Sequence, residues 1–99
     1  QTQDPEMAFL AVRQDYRVLP DVHENVKIQS WEVVLEAVKH DGRYFQYAAP
    51  WQRQDYRCVL QAVREDGRAF RYAAPTLRDY KDIALWAVDE YPEALQWCP

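Results

Sequence analysis

Few residues in this chain have both the type and the spacing for bond-making chemistry. The only serine, Ser30, precedes an apolar helical stretch, where a hydroxyl is expected to cap the helix rather than attack a substrate. His23 and His40 fall on a loop and at a helix end, without the close ligand pairing a zinc site needs, and read as surface histidines. Two glycines, Gly42 and Gly67, are too few for a phosphate loop or a dinucleotide fingerprint. Asp and Glu number 16, yet they recur at helix starts and on polar faces, outside the paired setting of acid–base catalysis. The expectation is no enzyme: no catalytic residue, no cofactor and no metal.

The two cysteines read as core. Cys58 takes the place of Val33 and Ile83, and Cys98 that of Ala48 and Ala73, where a free thiol behaves as a small hydrophobe. A Cys58–Cys98 disulfide is the sharper alternative. Two cysteines without a dense framework point to a reducing, intracellular or organellar setting rather than a secreted one.

Arginine and aromatic residues interleave at Arg43-Tyr44-Phe45, Arg68-Ala69-Phe70 and Arg71-Tyr72, a mixture that can stack on RNA bases. The net charge of −4 opposes a phosphate-binding surface. The aromatics also fall into two columns expected inside, Phe45 with Phe70 and Leu95, and Tyr47 with Tyr72 and Trp97. No nucleic-acid partner is expected. Two tryptophans are out of character with their columns. Trp86 follows Glu36 and Gln61, with Leu10 in the first copy, and Trp51 stands between Asn25 and Thr76. Exposed Trp is a common anchor of protein interfaces, so Trp51, Trp86 and Tyr44 are the candidate partner-binding residues. The competing role is to cover the edge of a neighbouring unit.

Those columns exist because one phrase recurs. Ala62-Val63-Arg64-Glu65-Asp66-Gly67 continues to Tyr72-Ala73-Ala74-Pro75, and a near copy runs from Ala37 to Pro50. A looser copy begins at Ala87 and the weakest at Ala11, giving steps of about 25 residues, the spacing of a repeat array. Asp4-Pro5-Glu6 is a helix start, and the first long helix is expected to run to about Gln14. Ser30, Asp55 and Asp79 are expected to open the other three. Gly42 and Gly67 are expected to close helices in the left-handed conformation, with Tyr16 and Tyr91 taking that place in the outer copies. Short helices over 44–48 and 69–73 then end at Pro50 and Pro75. An alanine at a fixed place in each long helix lets the next helix approach closely. Side-by-side helices would set Arg57 between Glu32 and Asp82, and Arg64 beside Asp89.

The phrase Leu35-Glu36-Ala37-Val38-Lys39-His40-Asp41-Gly42, its copy Leu60-Gln61-Ala62-Val63-Arg64-Glu65-Asp66-Gly67 and the connector Leu77-Arg78-Asp79 resemble the tandem helical repeat family catalogued as domain of unknown function 4116. The resemblance is strong from Trp31 to Val88 and weak before Ser30. It departs at Tyr16 and Tyr91, and at Gln52 where the connector leucine would stand. It implies a tandem array and carries no established activity or catalytic residues.

Ninety-nine residues make a single domain, 1–99, expected as an all-α, short superhelical stack (an α-solenoid) of about four two-helix units: 5–30, 31–55, 56–80 and an incomplete 81–99. No apolar run approaches the roughly twenty residues of a membrane span, though the chain could be peripheral to a membrane complex. Gln1-Thr2-Gln3-Asp4-Pro5 does not resemble a secretory leader, and both ends read as cut, as in a processed product or a segment of something longer. The expected function is a non-catalytic scaffold for a protein partner. The alternatives are an accessory structural subunit of a large multiprotein assembly, organellar or not, and a regulatory repeat region of a larger effector or enzyme.

Overall fold

The computed structural model of the chain describes residues 4–98. Every regular element among the described residues is helical. In chain order these are α1 (Pro5–Gln14), the 3-10 helix η1 (Tyr16–Asp21), α2 (Glu24–Gln29), α3 (Trp31–His40), η2 (Gly42–Tyr47), α4 (Pro50–Arg53), α5 (Tyr56–Glu65), η3 (Gly67–Tyr72), α6 (Pro75–Arg78), α7 (Lys81–Glu90) and η4 (Pro92–Trp97).

The long helices start largely where their capping residues put them. The Asp4 carboxylate accepts the Glu6 N–H ahead of α1, and Asp55 accepts from Arg57 and Cys58 ahead of α5. Ser30 occupies the cap position of α3 but makes no side-chain cap bond. The expected start of the fourth long helix at Asp79 is displaced. Asp79 closes α6 in the right-handed region, the Tyr80 N–H is held by the Leu77 carbonyl at 3.3 Å, and α7 begins at Lys81.

The glycines do something other than expected, because neither has a positive φ. The long helices end instead at Asp41 and Asp66 in extended backbone, with φ −156° and −158°. Each aspartate then caps the next 3-10 helix by accepting the N–H of Arg43 or Arg68. Glycine is required for room. A Cβ on Gly42 would lie 2.7 Å from Asp66 Cγ, and one on Gly67 would lie 3.0 Å from Tyr91 Cβ and 3.1 Å from the Ala87 carbonyl oxygen. In the last copy Tyr91 takes the aspartate's place as the cap of α7, and Pro92 takes the glycine's at the start of η4.

The returning segments are 3-10 helices that begin at the glycines and end at Tyr47 and Tyr72. Pro50 and Pro75 do not end them. They begin α4 and α6, where the missing N–H of proline is no loss. The expected two-helix pattern thus gains a third, short member: long α, 3-10, short α, three times in succession, then α7 and η4.

The long helices pack in sequence, α1 on α3, α3 on α5 and α5 on α7, and the 3-10 helices pack likewise from η1 to η4. The described chain measures 37 × 22 × 16 Å. Ala37, Ala62 and Ala87 are fully buried between neighbours; in α1 that role falls to Ala8 and Val12, with Ala11 only partly covered. Phe45 and Phe70 are fully buried under the following 3-10 helix. Leu95, expected inside with them, is 65% exposed, because no described element lies beyond η4.

Candidate interaction surface

The three residues expected to bind a partner lie on three different elements. Trp51 is on α4, 44% exposed, and Trp86 is on α7, 43% exposed. Trp86 borders a shallow depression with Asp82, Leu85 and Asp89, while the Arg64 guanidinium lies 5.2 Å from its ring centroid. This tryptophan therefore covers the edge of α5 with one side and leaves the rest to solvent. Tyr44 on η2 is half-buried, edge-on to Tyr16 at 5.1 Å and tilted against Tyr47 at 5.4 Å. Among the described residues no ring contact or hydrogen bond joins the three.

The cross-helix ion pairs expected of Arg57 and Arg64 do not form among the described residues. Asp82 instead accepts the Tyr56 hydroxyl, which raises the tyrosine's pKa, and Arg64 spends its charge on the Trp86 ring. A further cross-helix bond runs from Trp31 Nε1 to Gln61 Oε1 at 2.8 Å. The planar Trp31 and Tyr56 stand at equivalent places in their helices and reach further than the arginine pairing allowed for.

The electrostatic feature of this surface is a row of Asp-x-Arg clamps. Asp15 binds Arg17, Asp41 binds Arg43 and Asp66 binds Arg68, each through a side-chain ion pair between residues i and i+2. Arg68 also reaches back to Asp41 at 3.6 Å, and Asp66 accepts the Gly42 N–H at 2.8 Å, so the second and third clamps are laced together. Arg43 and its backbone N–H hold Asp41 below the usual carboxylate range against the opposing effect of burial. Burial works against ionisation of Asp66 most of all, yet Arg68 and the N–H donors of Arg68 and Gly42 outweigh it and lower its pKa. These clamps escaped sequence reasoning, although the triplets Asp15-Tyr16-Arg17, Asp41-Gly42-Arg43 and Asp66-Gly67-Arg68 recur in plain sight.

Gln52, the departure in the connector, is fully buried. Its Oε1 accepts the Ala49 N–H at 2.9 Å and its Nε2 donates to the Lys27 carbonyl, tying α4 to α2. Cys58 is buried and free, its thiol pushed up to about 11 by burial, and Cys98 is free and half-buried. Among the described residues no three His, Cys, Asp or Glu side chains converge as a metal site. No helix of the described residues is long and apolar enough to cross a membrane.

Against this geometry, the family model described as Domain of unknown function (DUF4116) matches residues 30–78 and, overlapping, residues 55–99. No curated protein and no solved structure matches the chain.

Proposed function

Since the chain belongs to this family, domain of unknown function DUF4116, we propose that it is a non-catalytic helical scaffold that holds a protein partner on its outer face. In this reading the chain is a short superhelical stack of four units of about 25 residues, each a long helix, a 3-10 helix and, in the first three, a short α-helix. The recurrence of that element order supports the stack. One observation carries the interaction reading: Trp51 and Trp86 are large aromatic side chains more than two-fifths exposed, where the other copies carry Asn25 and Thr76, and Leu10, Glu36 and Gln61. Half-exposed Trp on rigid helices loses little entropy on docking and offers the large contact area of an interface anchor. Tyr44, on η2, is the third candidate, its half-buried ring steadied by Tyr16 and Tyr47.

The test compares partner capture by the wild-type chain with that of a Trp51→Gln, Trp86→Gln double variant, using cross-linking in extract from the source organism. Neither residue is in the buried core, so the variant should keep its helical circular dichroism. The reading expects a discrete captured protein that the variant loses. Identical capture by both chains overturns it.

A further inference from the structure

We infer that the exposed face of α7 and η4 binds the exposed face of α1 and η1 on a second copy of this chain, head to tail, by repeating the packing of α5 and η3 against α7 and η4. The inference goes beyond the scaffold reading, although on α7 its face adjoins the depression that Leu85 shares with Trp86. It rests on how the long helices divide their buried edges. They start at Pro5, Trp31, Tyr56 and Lys81, steps of 26, 25 and 25, so each position has equivalents in the other helices.

The two central helices bury two edges each. Val34 and Val38, or Val59 and Val63, line one edge; Val33 and Ala37, or Cys58 and Ala62, line the other. The outer helices fully bury one edge apiece. In α1 it is the first, Ala8 and Val12, and in α7 the second, Ile83 and Ala87. The edges left over remain apolar: Met7 and Ala11 on α1, Ala84 and Val88 on α7. Around the α7 edge, Leu85 is 68% exposed where its equivalents Leu35 and Leu60 are buried and half-buried, and Leu95 is 65% exposed where Phe45 and Phe70 are buried. On the opposite end Met7 is 57% exposed, and Val18 is half-buried in a column that also holds the half-buried Tyr44 and the buried Ala69 and Ala94. The two ends are thus the two halves of the interface already built between α5 and α7.

Charge fits the same pairing. Tyr56 on α5 bonds Asp82 on α7; the equivalent residues across the proposed junction are Lys81 of one copy and Glu6 of the other. Pro92 stands where Gly42 donates to Asp66, so that bond is absent from the junction. The junction resembles α1 on α3, where Tyr16 holds the glycine position and η1 still packs on η2. Since the two faces differ, the contact is heterologous and propagates instead of closing as a symmetric pair.

Light scattering behind a sizing column reads this directly. The wild-type chain should show a mass that rises with concentration above the 11.8 kDa of one copy. Leu85→Glu spoils one face and Met7→Glu the other, and each variant alone should stay a monomer with unchanged helical circular dichroism, both side chains being exposed. Mixed, they should form a 1:1 pair of twice the monomer mass, because each retains the face the other lacks. Glu6→Lys should weaken wild-type association and Lys81→Glu in the same chain should restore it. A wild type that stays monomeric at millimolar concentration overturns the inference. So does association by either Glu variant alone, or a mixture that remains monomeric.

Discussion

Gly42 and Asp66, 24 residues apart, are joined by a hydrogen bond from the glycine N–H to carboxylate Oδ2 at 2.8 Å, and the carboxylate fills the space a glycine Cβ would need. One carboxylate therefore fixes the distance between η2 and η3 while neutralising Arg68. The absence of a side chain at residue 42 is part of the packing between successive elements.

Gly42→Ala should destabilise the fold by about 1–3 kcal/mol, the cost of forcing a methyl group into filled space. Asp66 cannot swing aside freely, since Arg68 and the Gly42 N–H both hold it. Urea denaturation followed by circular dichroism gives the number. A midpoint unmoved by the substitution would mean that η2 and η3 are not held this closely.

Acid should loosen the same tie. Asp41 and Asp66 have folded pKa values lowered from an ordinary value near 3.8, so their contribution is present above that value and is lost as pH falls through the lower folded one. Asp66→Asn should cost about 1.5–3 kcal/mol at pH ~7, the range for hydrogen bonds to charged groups. The cost should shrink in acid, as pH falls past the ordinary value near 3.8 and through the lower folded one, where the wild-type carboxylate also becomes protonated. Equal costs at both pH values would remove the ionised clamp as the source.

Phe70 and Leu95 occupy one column with opposite surroundings, which makes a matched pair. Phe70→Ala should cost about 3–5 kcal/mol, as expected for emptying a buried aromatic site. Leu95→Ala should change stability by less than about 0.5 kcal/mol in dilute, monomeric chain, since its side chain is mostly in water. Comparable losses at the two positions in thermal melts would show that η4 is covered in solution.

Gln52→Leu should cost about 1–3 kcal/mol although Leu77 fills the equivalent place in α6, because the leucine leaves the buried Ala49 N–H and Lys27 carbonyl without their partner. A neutral outcome in urea denaturation would mean water reaches both groups.

Thiol labelling under native conditions at pH ~8 should modify Cys98 well before Cys58. Burial pushes the Cys58 thiol up to about 11, leaving little reactive thiolate, and also blocks access. Denaturant should equalise the two. Fast native labelling of both would contradict the packing of α5.

Much of the helical framework was legible from residue types. Asp4 with Pro5, and Asp55, mark helix starts by their side-chain oxygens, and the buried alanines at 37, 62 and 87 follow from the spacing of the repeated phrase. The turns were harder. Asp-Gly after a helix suggests a left-handed closure, yet extended backbone at Asp41 and Asp66 lets each carboxylate grip the arginine two residues on. A preference for glycine arising from close approach leaves the same mark in sequence as one arising from φ. The exposure of Leu95 and Leu85 was likewise hidden, since a column comparison reports residue type and not whether anything lies on top. Of the candidate site, the exposure of Trp51 and Trp86 was foreseen from their columns, whereas the stacking of Arg64 on Trp86 depends on the distance between two helices.

The main packings join each long helix only to the next, α1 to α3, α3 to α5 and α5 to α7. Every such contact closes a short stretch of backbone, so little loop entropy opposes it and folding should be fast for the chain's size. It also means that no element is clasped from both distant ends of the sequence. Opening should begin at the margins and run inward like an unzipping, and backbone amides of α3 and α5 should be the slowest to trade their hydrogens with deuterated solvent.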